Sequence, residues 1–112
     1  MLQCKTINEK PGKDDGYRLL VTQDWPAKFP ASWADGFNQN LAPSKELYDG
    51  LLSHKLSFNE FSQKYSLELD SQKERLQKLK KQSEEFTITL VSLPDFEGNS
   101  IGKVLQQKCL FL

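Results

Sequence analysis

The stretch Asp14–Pro26 constrains the fold more than any other part of the chain, because it combines a turn, an apolar run and an abrupt stop. Its start, Asp14–Gly16, favours a turn, since Asp side chains bond to nearby backbone and glycine adopts positive φ. The run Tyr17–Thr22 is mostly apolar, which is typical of a strand covered on both faces in a parallel sheet, although a buried helix also fits so short a run. Pro26 has no N–H and restricts the residue before it, so we expect the strand to end near Gln23.

The length and composition predict a single domain over residues 1–112 that folds without a disulfide or a metal. A chain of 112 residues with 38% hydrophobic side chains is long enough to bury its own core. No apolar run approaches the length of about 18 residues needed for a membrane span. The N-terminus has no signal pattern, which predicts a cytoplasmic protein. Cys4 and Cys109 are then expected as buried thiols rather than as a bridge or a ligand pair.

The rest of the chain predicts an α/β domain with a small, mostly parallel sheet of about three strands flanked by four to five helices. Further strands are predicted at Leu2–Ile7 and at Phe86–Leu93, where β-branched residues are abundant. The helices between the apolar run and the last strand would form a right-handed crossover, so these two strands are expected to be parallel. A short helix is predicted over Ala31–Phe37. N-cap residues predict longer helices after Ser44, Ser57, Ser71 and either Asn99 or Ser100.

Two places at the carboxyl ends of the predicted strands are candidate ligand sites, because parallel sheets usually bind ligands at that edge. The first is the strand exit Thr22–Trp25, where Trp25 can also serve simply as a packing residue at the rim of the sheet. The second is the loop Asp95–Ser100, whose helix start offers N–H groups to a small anion, although its carboxylates would repel one and an ordinary capped helix also explains it. The candidate ligand-binding residues are Tyr17, Arg18, Gln23, Asp24, Trp25, Asp95, Asn99 and Ser100.

Familiar motifs for catalysis or cofactor binding are missing from the sequence. It contains no GxGxxG, GxxxxGK[ST], GxSxG, HExxH or CxxC pattern, so we predict no catalytic residue, no metal and no cofactor. The single histidine, His54, lies between two predicted helices and is most simply a surface or capping residue, although it could act in acid–base chemistry.

Charge argues against a nucleic-acid partner. Fifteen basic and fifteen acidic side chains cancel, so the chain lacks the basic excess of most nucleic-acid binders. Lys78, Lys80 and Lys81 cluster on a predicted helix, and such a cluster is usually a solvated face.

Several of these stretches together resemble the YeaO-like family of small bacterial proteins of unknown function. The most specific matches are Gly16–Val21, the pair Trp25-Pro26 and the run Leu41–Ser44. The resemblance extends over nearly the whole chain through Glu46-Leu47, Glu60-Phe61, Tyr65 and Glu68-Leu69. It implies one YeaO-like domain and assigns no catalytic motif.

The chain departs from the YeaO-like pattern mostly at ionisable positions. After the central strand the family has Asp-Arg-x-Trp-Pro-Arg-Gly, where this chain has Thr22–Lys28. Before the Leu-Ala-Pro-Ser run the family has Trp-x-Lys-Asp, where this chain has Phe37–Asn40. After the last strand the family has Asp-x-x-His-Asn-His, where Asp95–Ser100 keeps the Asn and lacks both histidines. The resemblance therefore implies a member without the family's natural acid–base groups.

These observations favour a non-catalytic protein that binds a small ligand or a protein partner at the strand ends. One alternative is a small enzyme, or a phosphate- or anion-binding protein, that uses the same cleft. Its residues would have to converge in one pocket: Arg18, Asp24, His54, Asp95 and Asn99. A second alternative is a weak nucleic-acid binder through the helix that carries Lys78 to Lys81, which would require a steep salt dependence.

Overall fold

Four parallel strands form the centre of the protein in the computed structural model, which describes residues 1–112. The strands are β1 (Leu2–Thr6), β2 (Tyr17–Leu20), β3 (Gly36–Phe37) and β4 (Ile88–Ser92). Their order in the sheet is β1-β4-β2-β3, and every neighbouring pair is parallel. The predicted α/β class and the parallel pairing of β2 with β4 are confirmed, with one strand more than expected.

Four helices complete the fold, and three of them begin where the sequence predicts. They are α1 (Lys45–Leu52), α2 (Phe58–Asp70), α3 (Lys73–Glu85) and α4 (Ile101–Leu110). The side chains of Ser44, Ser57 and Ser100 each accept a hydrogen bond from the amide three residues later. The N-cap predicted at Ser71 is wrong, because Ser71 is the C-cap of α2 and α3 starts at Lys73 without a side-chain cap. None of the helices has the length and apolar character needed to cross a bilayer.

The segment predicted as a short helix before α1 contains a 3₁₀ turn and an edge strand instead. Ala31–Trp33 forms the turn, and Gly36–Phe37 pairs with the end of β2 as β3. The missing side chain at Gly36 lets this strand lie against Tyr17, since a Cβ there would come within 2.3 Å of the Tyr17 hydroxyl oxygen. A glycine inside a strand often marks such a close approach. The strand β2 itself ends at Leu20, three residues earlier than predicted.

The two faces of the sheet are covered in different ways. Side chains alternate between the faces along each strand, and Ile88 and Leu90 point into a core that all four helices share. The helix residues of this core include Leu47, Leu51, Phe61, Tyr65, Leu76 and Leu105. On the other face, Leu20 and Val91 pack against Phe29, which belongs to the long connection between β2 and β3. That second face is therefore closed by loops.

A buried ionic cluster lies under these loops. Asp15 and Arg18 are only 3% and 4% exposed and form an ion pair. The ammonium nitrogen of Lys5 lies 2.7 Å from the other carboxylate oxygen of Asp15, and the Gly12 amide donates to the same carboxylate at 2.9 Å. Arg18 Nε donates to the carbonyl oxygen of Trp33 at 2.6 Å. The Asp15 carboxylate thus connects β1, the loop after it and β2, and Arg18 links this cluster to the β2–β3 connection.

The pKa of the Asp15 carboxyl is shifted below its ordinary value by this cluster. Burial alone would raise the pKa, but the hydrogen bonds from Gly12, Lys5 and Arg18 together with the charge of Lys5 outweigh burial. A group whose pKa is lower in the folded state stabilises the protein above its unfolded-state pKa, and that contribution is lost as pH falls through the folded-state pKa. The cluster is therefore a stabilising element at neutral pH.

Replacing Gly16 with alanine is expected to reduce the free energy of unfolding by about 3 kcal/mol, measured by urea denaturation. Gly16 has φ +62°, and a Cβ there would lie 2.2 Å from the backbone carbonyl oxygen of Thr87. The left-handed conformation costs an L-residue about 1–2 kcal/mol, and overpacking adds about 1–3 kcal/mol. Gly98→Ala is the matched control, because Gly98 has φ +80° and a Cβ there would meet no other atom within 4 Å. If Gly16→Ala and Gly98→Ala reduce the free energy of unfolding equally, the close packing at Gly16 does not contribute and the prediction is contradicted.

Asp15→Asn is expected to reduce the free energy of unfolding at pH 7 by about 3 kcal/mol, because it leaves the Arg18 guanidinium buried without its counter-charge. As pH falls below about 4, the wild-type protein loses the stability that the ionised Asp15 carboxylate contributes. The difference in free energy of unfolding between the wild type and Asp15→Asn should therefore become smaller. Denaturant titrations between pH 7 and pH 2 measure this. The control is Asp14→Asn at the exposed neighbouring residue, expected within about 0.5 kcal/mol of wild type. A difference that stays constant or widens on acidification would contradict the account.

Candidate functional site

A cavity of about 310 Å³ opens at the edge of the sheet where β2 and β4 end. Its walls come from the β2 exit, from α1 with the loop before it, and from the residue after β4, and they include Gln23, Asp24, Trp25, Lys45, Tyr48 and Asp49. The volume lies at the lower end of the range for small-molecule sites. Because parallel α/β proteins place ligands at this edge, the carboxyl-edge cavity is the leading candidate for a functional site.

The β2 exit is held in position by hydrogen bonds from its own polar side chains. Thr22 Oγ1 donates to the carbonyl oxygen of Asp24 at 2.7 Å, which forms a tight turn. Gln23 Nε2 donates to the carbonyl oxygen of Pro43 at 3.2 Å, and Gln39 Nε2 donates to the carbonyl oxygen of Gln23 at 2.6 Å. The Gln23 side chain therefore joins the strand exit to the segment that precedes α1.

Trp25 forms the aromatic wall of the cavity. Its indole Nε1 donates to the carbonyl oxygen of Phe29 at 2.9 Å. The rings of Phe29 and Phe37 contact it edge-on, with centroid distances of 5.4 and 5.6 Å. The side chain is nevertheless 41% exposed. Trp25 thus combines the two roles considered from the sequence, since it packs at the rim of the sheet and also presents a fixed aromatic surface.

The contribution of α1 to the cavity was missed by sequence reasoning. Lys45, Tyr48 and Asp49 all line it. Burial raises the pKa of the Tyr48 hydroxyl, and the charge of Asp49 adds to that effect, so the hydroxyl stays protonated and can donate a hydrogen bond. The available signal was the helix start at Ser44, because positions 45, 48 and 49 then share a face that differs from the buried face of the helix.

The second predicted place, Asp95–Ser100, does not line the carboxyl-edge cavity. Asn99 pairs with Phe96 through two backbone hydrogen bonds of 2.8 and 2.9 Å. The Ser100 side chain accepts a hydrogen bond as the N-cap of α4, and Asp95 is exposed. The structure therefore does not bring the two predicted ligand-binding places into one cavity.

Tyr17 and Arg18 lie at the amino end of β2, away from the carboxyl-edge cavity. The Arg18 guanidinium is buried against Asp15, and the Tyr17 hydroxyl donates to the carbonyl oxygen of Asp35 at 3.3 Å. Of the eight predicted ligand-binding residues, the cavity is lined by three: Gln23, Asp24 and Trp25.

The residues grouped for the enzyme alternative are also separated. His54 Nε2 lies 2.8 Å from the carboxylate of Glu97 in an exposed pair, and only Asp24 of that group lines the carboxyl-edge cavity. No group of three or more His, Cys, Asp or Glu side chains is arranged to hold a metal ion. The predicted convergence of catalytic candidates in one pocket is therefore not observed.

The fold and the cavity together define a small parallel α/β protein with a candidate ligand site at the carboxyl edge of its sheet. The chain belongs to the family described as the inactive DUF488-N3 subclade, whose model matches residues 1–110. It is also 29% identical, over 70 residues, to the uncharacterized protein YeaO of Escherichia coli (strain K12), and the match covers 61% of each chain. No solved structure matches the chain. The YeaO-like resemblance is thereby confirmed.

Proposed function

We propose that this protein is a non-catalytic, cytoplasmic binding protein that holds a small, flat ligand in the carboxyl-edge cavity. The observation that carries the proposal is Trp25, whose indole is fixed by a hydrogen bond and by edge-on aromatic contacts while 41% of the side chain stays exposed. An aromatic wall of this kind at the carboxyl edge of a parallel sheet suits a planar molecule. Both cysteines are free thiols, which supports a reducing compartment.

Two departures from the YeaO-like pattern, one at the cavity and one in the loop after β4, support binding without catalysis. Where the YeaO-like pattern has arginines in the stretch after the central strand, this chain has Gln23 and Ala27. Where it has histidines in the loop after the last strand, this chain has Gly98 and Ser100. General acid–base catalysis commonly depends on such imidazoles. The description of the subclade as inactive agrees with this interpretation.

The charges that line the cavity narrow the ligand class. Lys45 contributes one positive charge, and Asp24 and Asp49 contribute two negative charges. A polyanionic ligand would therefore meet a net repulsion, while an uncharged or singly cationic molecule would not. Tyr48 supplies a hydroxyl for orientation. These features favour a neutral or cationic planar ligand over the phosphate considered as an alternative.

A protein partner is the second candidate occupant, and one observation favours it. Phe37 packs against Trp25, is 40% exposed and does not line the cavity, so the exposed aromatic surface extends beyond the cavity rim. Exposed aromatic residues are enriched at protein interfaces. A partner would then insert one apolar side chain against Trp25 and cover Phe37.

Fluorescence of Trp25 provides the test of this proposal. The chain has two tryptophans, so in a Trp33→Phe variant the emission reports Trp25 alone, and Phe keeps the ring that packs against Phe29. We expect neutral or cationic planar fragments to change this emission on binding. A Trp25→Leu variant should bind the same fragments at least about 10-fold more weakly by NMR titration, because stacking and apolar contact are lost.

Two outcomes would contradict the proposal. One is a fragment screen in which every fragment that binds has the same affinity for the Trp25→Leu variant as for the Trp33→Phe control. The other is steady turnover of a bound compound by the purified protein, which would exclude the non-catalytic part of the proposal.

A further inference from the structure

A second cavity lies at the other end of the sheet from the carboxyl-edge cavity. It has a volume of about 400 Å³ and opens between α3 and the first residues of β2 and β4. Leu79 and Ile88 form part of its apolar floor, and both are buried. This volume lies within the range for small-molecule sites. We refer to it as the amino-end cavity.

The two charged side chains that line the amino-end cavity are both positive. Arg75 and Lys78 of α3 line it, and no acidic residue does. Neither cation belongs to any of the ion pairs in the protein, and the Arg75 guanidinium makes one hydrogen bond, of 2.7 Å, to the amide oxygen of Gln72. In a chain with a formal net charge of zero, this is a local excess of positive charge.

Asp35 contacts Tyr17 at the edge of the sheet, and both its carboxylate and its carbonyl oxygen accept hydrogen bonds from β2. Asp35 accepts a hydrogen bond from the Arg18 backbone amide on its carboxylate at 2.9 Å. Its carbonyl oxygen accepts the hydroxyl of Tyr17 at 3.3 Å. Neither Arg75 nor Lys78 is paired with Asp35 or with any other carboxylate, so both can bind an external anion.

Two aromatic side chains form the walls of the amino-end cavity. Tyr17 is 42% exposed and Phe86 is 45% exposed, and both line it. The Tyr17 ring is held in place by its hydroxyl hydrogen bond and by close packing over Gly36, which has no side chain. Phe86 follows the last turn of α3 in an extended conformation. Both accessible rings offer a flat apolar surface to a planar group, and the restrained Tyr17 ring loses little side-chain entropy on binding.

We propose that the amino-end cavity binds a small molecule that combines a planar ring with an anionic group, as in an aryl or heterocyclic phosphate or carboxylate. The ring would lie against Tyr17 and Phe86, and the anionic group would meet Arg75 and Lys78. The planar, multiply donating guanidinium of Arg75 suits both phosphate and carboxylate oxygens. This site shares no residue with the carboxyl-edge cavity and does not depend on the function proposed for it.

A small anion fits this site better than a nucleic acid does. Only Lys78 of the three lysines first noted on α3 lines the cavity, while Lys80 and Lys81 do not. Nucleic-acid binding needs a run of cations that follows many phosphates. A cavity lined by one guanidinium and one ammonium matches a single phosphate or carboxylate instead.

NMR titration of the full-length, ¹⁵N-labelled chain provides the test. The probes are phenyl phosphate and benzoate, with benzyl alcohol and inorganic phosphate as the ring-only and anion-only controls. We expect at least one ring-bearing anion to shift the amide signals of Tyr17, Leu79 and Phe86. Its affinity should be at least about fivefold higher than that of either control compound. Comparison of phenyl phosphate with benzoate distinguishes the two anionic groups. The absence of shifts at about 10 mM of both ring-bearing anions would overturn the proposal.

Matched charge variants of α3 make the test specific. Arg75→Gln with Lys78→Gln removes two charges at the cavity, and Lys73→Gln with Lys81→Gln removes two charges from the same helix outside it. We expect the first pair to weaken binding at least about 10-fold and the second less than about twofold. Equal weakening in both pairs would show diffuse attraction and overturn the site. The proposal would also be overturned, in favour of a nucleic-acid partner, by one further result. In that result a short single-stranded oligonucleotide binds more tightly than the ring-bearing anions, and the Lys73→Gln, Lys81→Gln variant no longer binds it.

The aromatic wall has its own variant. Phe86→Leu keeps an apolar side chain and removes the ring, so binding of the ring-bearing anion should weaken by about threefold to 10-fold. Binding of inorganic phosphate should not change. Equal effects on both ligands would contradict the role assigned to Phe86.

Discussion

The buried carboxylate of Asp15 holds the part of the molecule that helices do not cover. All four helices contribute to the core on one face of the sheet, so the other face has to be closed by connecting loops whose backbone groups need hydrogen-bond partners. The Asp15 cluster supplies them: Arg18 binds the carbonyl oxygen of Trp33, and the Thr89 hydroxyl donates to the carbonyl oxygen of Asp15 at 2.7 Å. No buried side-chain nitrogen or oxygen in the protein is left without a partner.

This cluster also decides which residues are available for binding. Arg18 is one of the most attractive anion-binding residues in the sequence, yet its guanidinium is buried in the core and serves the fold. Tyr17, the residue before it, points to the opposite face of the sheet because side chains alternate along a strand. Tyr17 therefore lines the amino-end cavity, while Trp25 lines the carboxyl-edge cavity. The two ends of one sheet thus present aromatic walls with different charges around them.

The features that the sequence predicted correctly depend on local chemistry. The helix predicted after Ser57 forms because Ser57 and Glu60 make a capping box within one helical turn. The strand β4, which lies inside the predicted β-branched run, is buried at every position. The features it missed depend on distant contacts. The two-residue strand β3 exists only because it pairs with β2, and the helical spacing of Trp33 and Phe37 gave no sign of this. Likewise, only the packed position of α1 places Lys45 and Tyr48 beside Trp25.

The most direct test of this account is a double-mutant cycle between Asp15 and Arg18, measured by urea denaturation at pH 7. The variants are Asp15→Asn, Arg18→Met and the combination of the two. If the buried pair stabilises the loop-covered face, Asp15→Asn leaves the Arg18 guanidinium without its counter-charge, and Arg18→Met leaves the Asp15 carboxylate with Lys5 as its remaining cation. The double variant should then lose at least about 1 kcal/mol less than the sum of the two single losses. If the two single-variant losses of unfolding free energy sum to within about 0.5 kcal/mol of the double-variant loss, the two side chains act independently. That result would contradict the account.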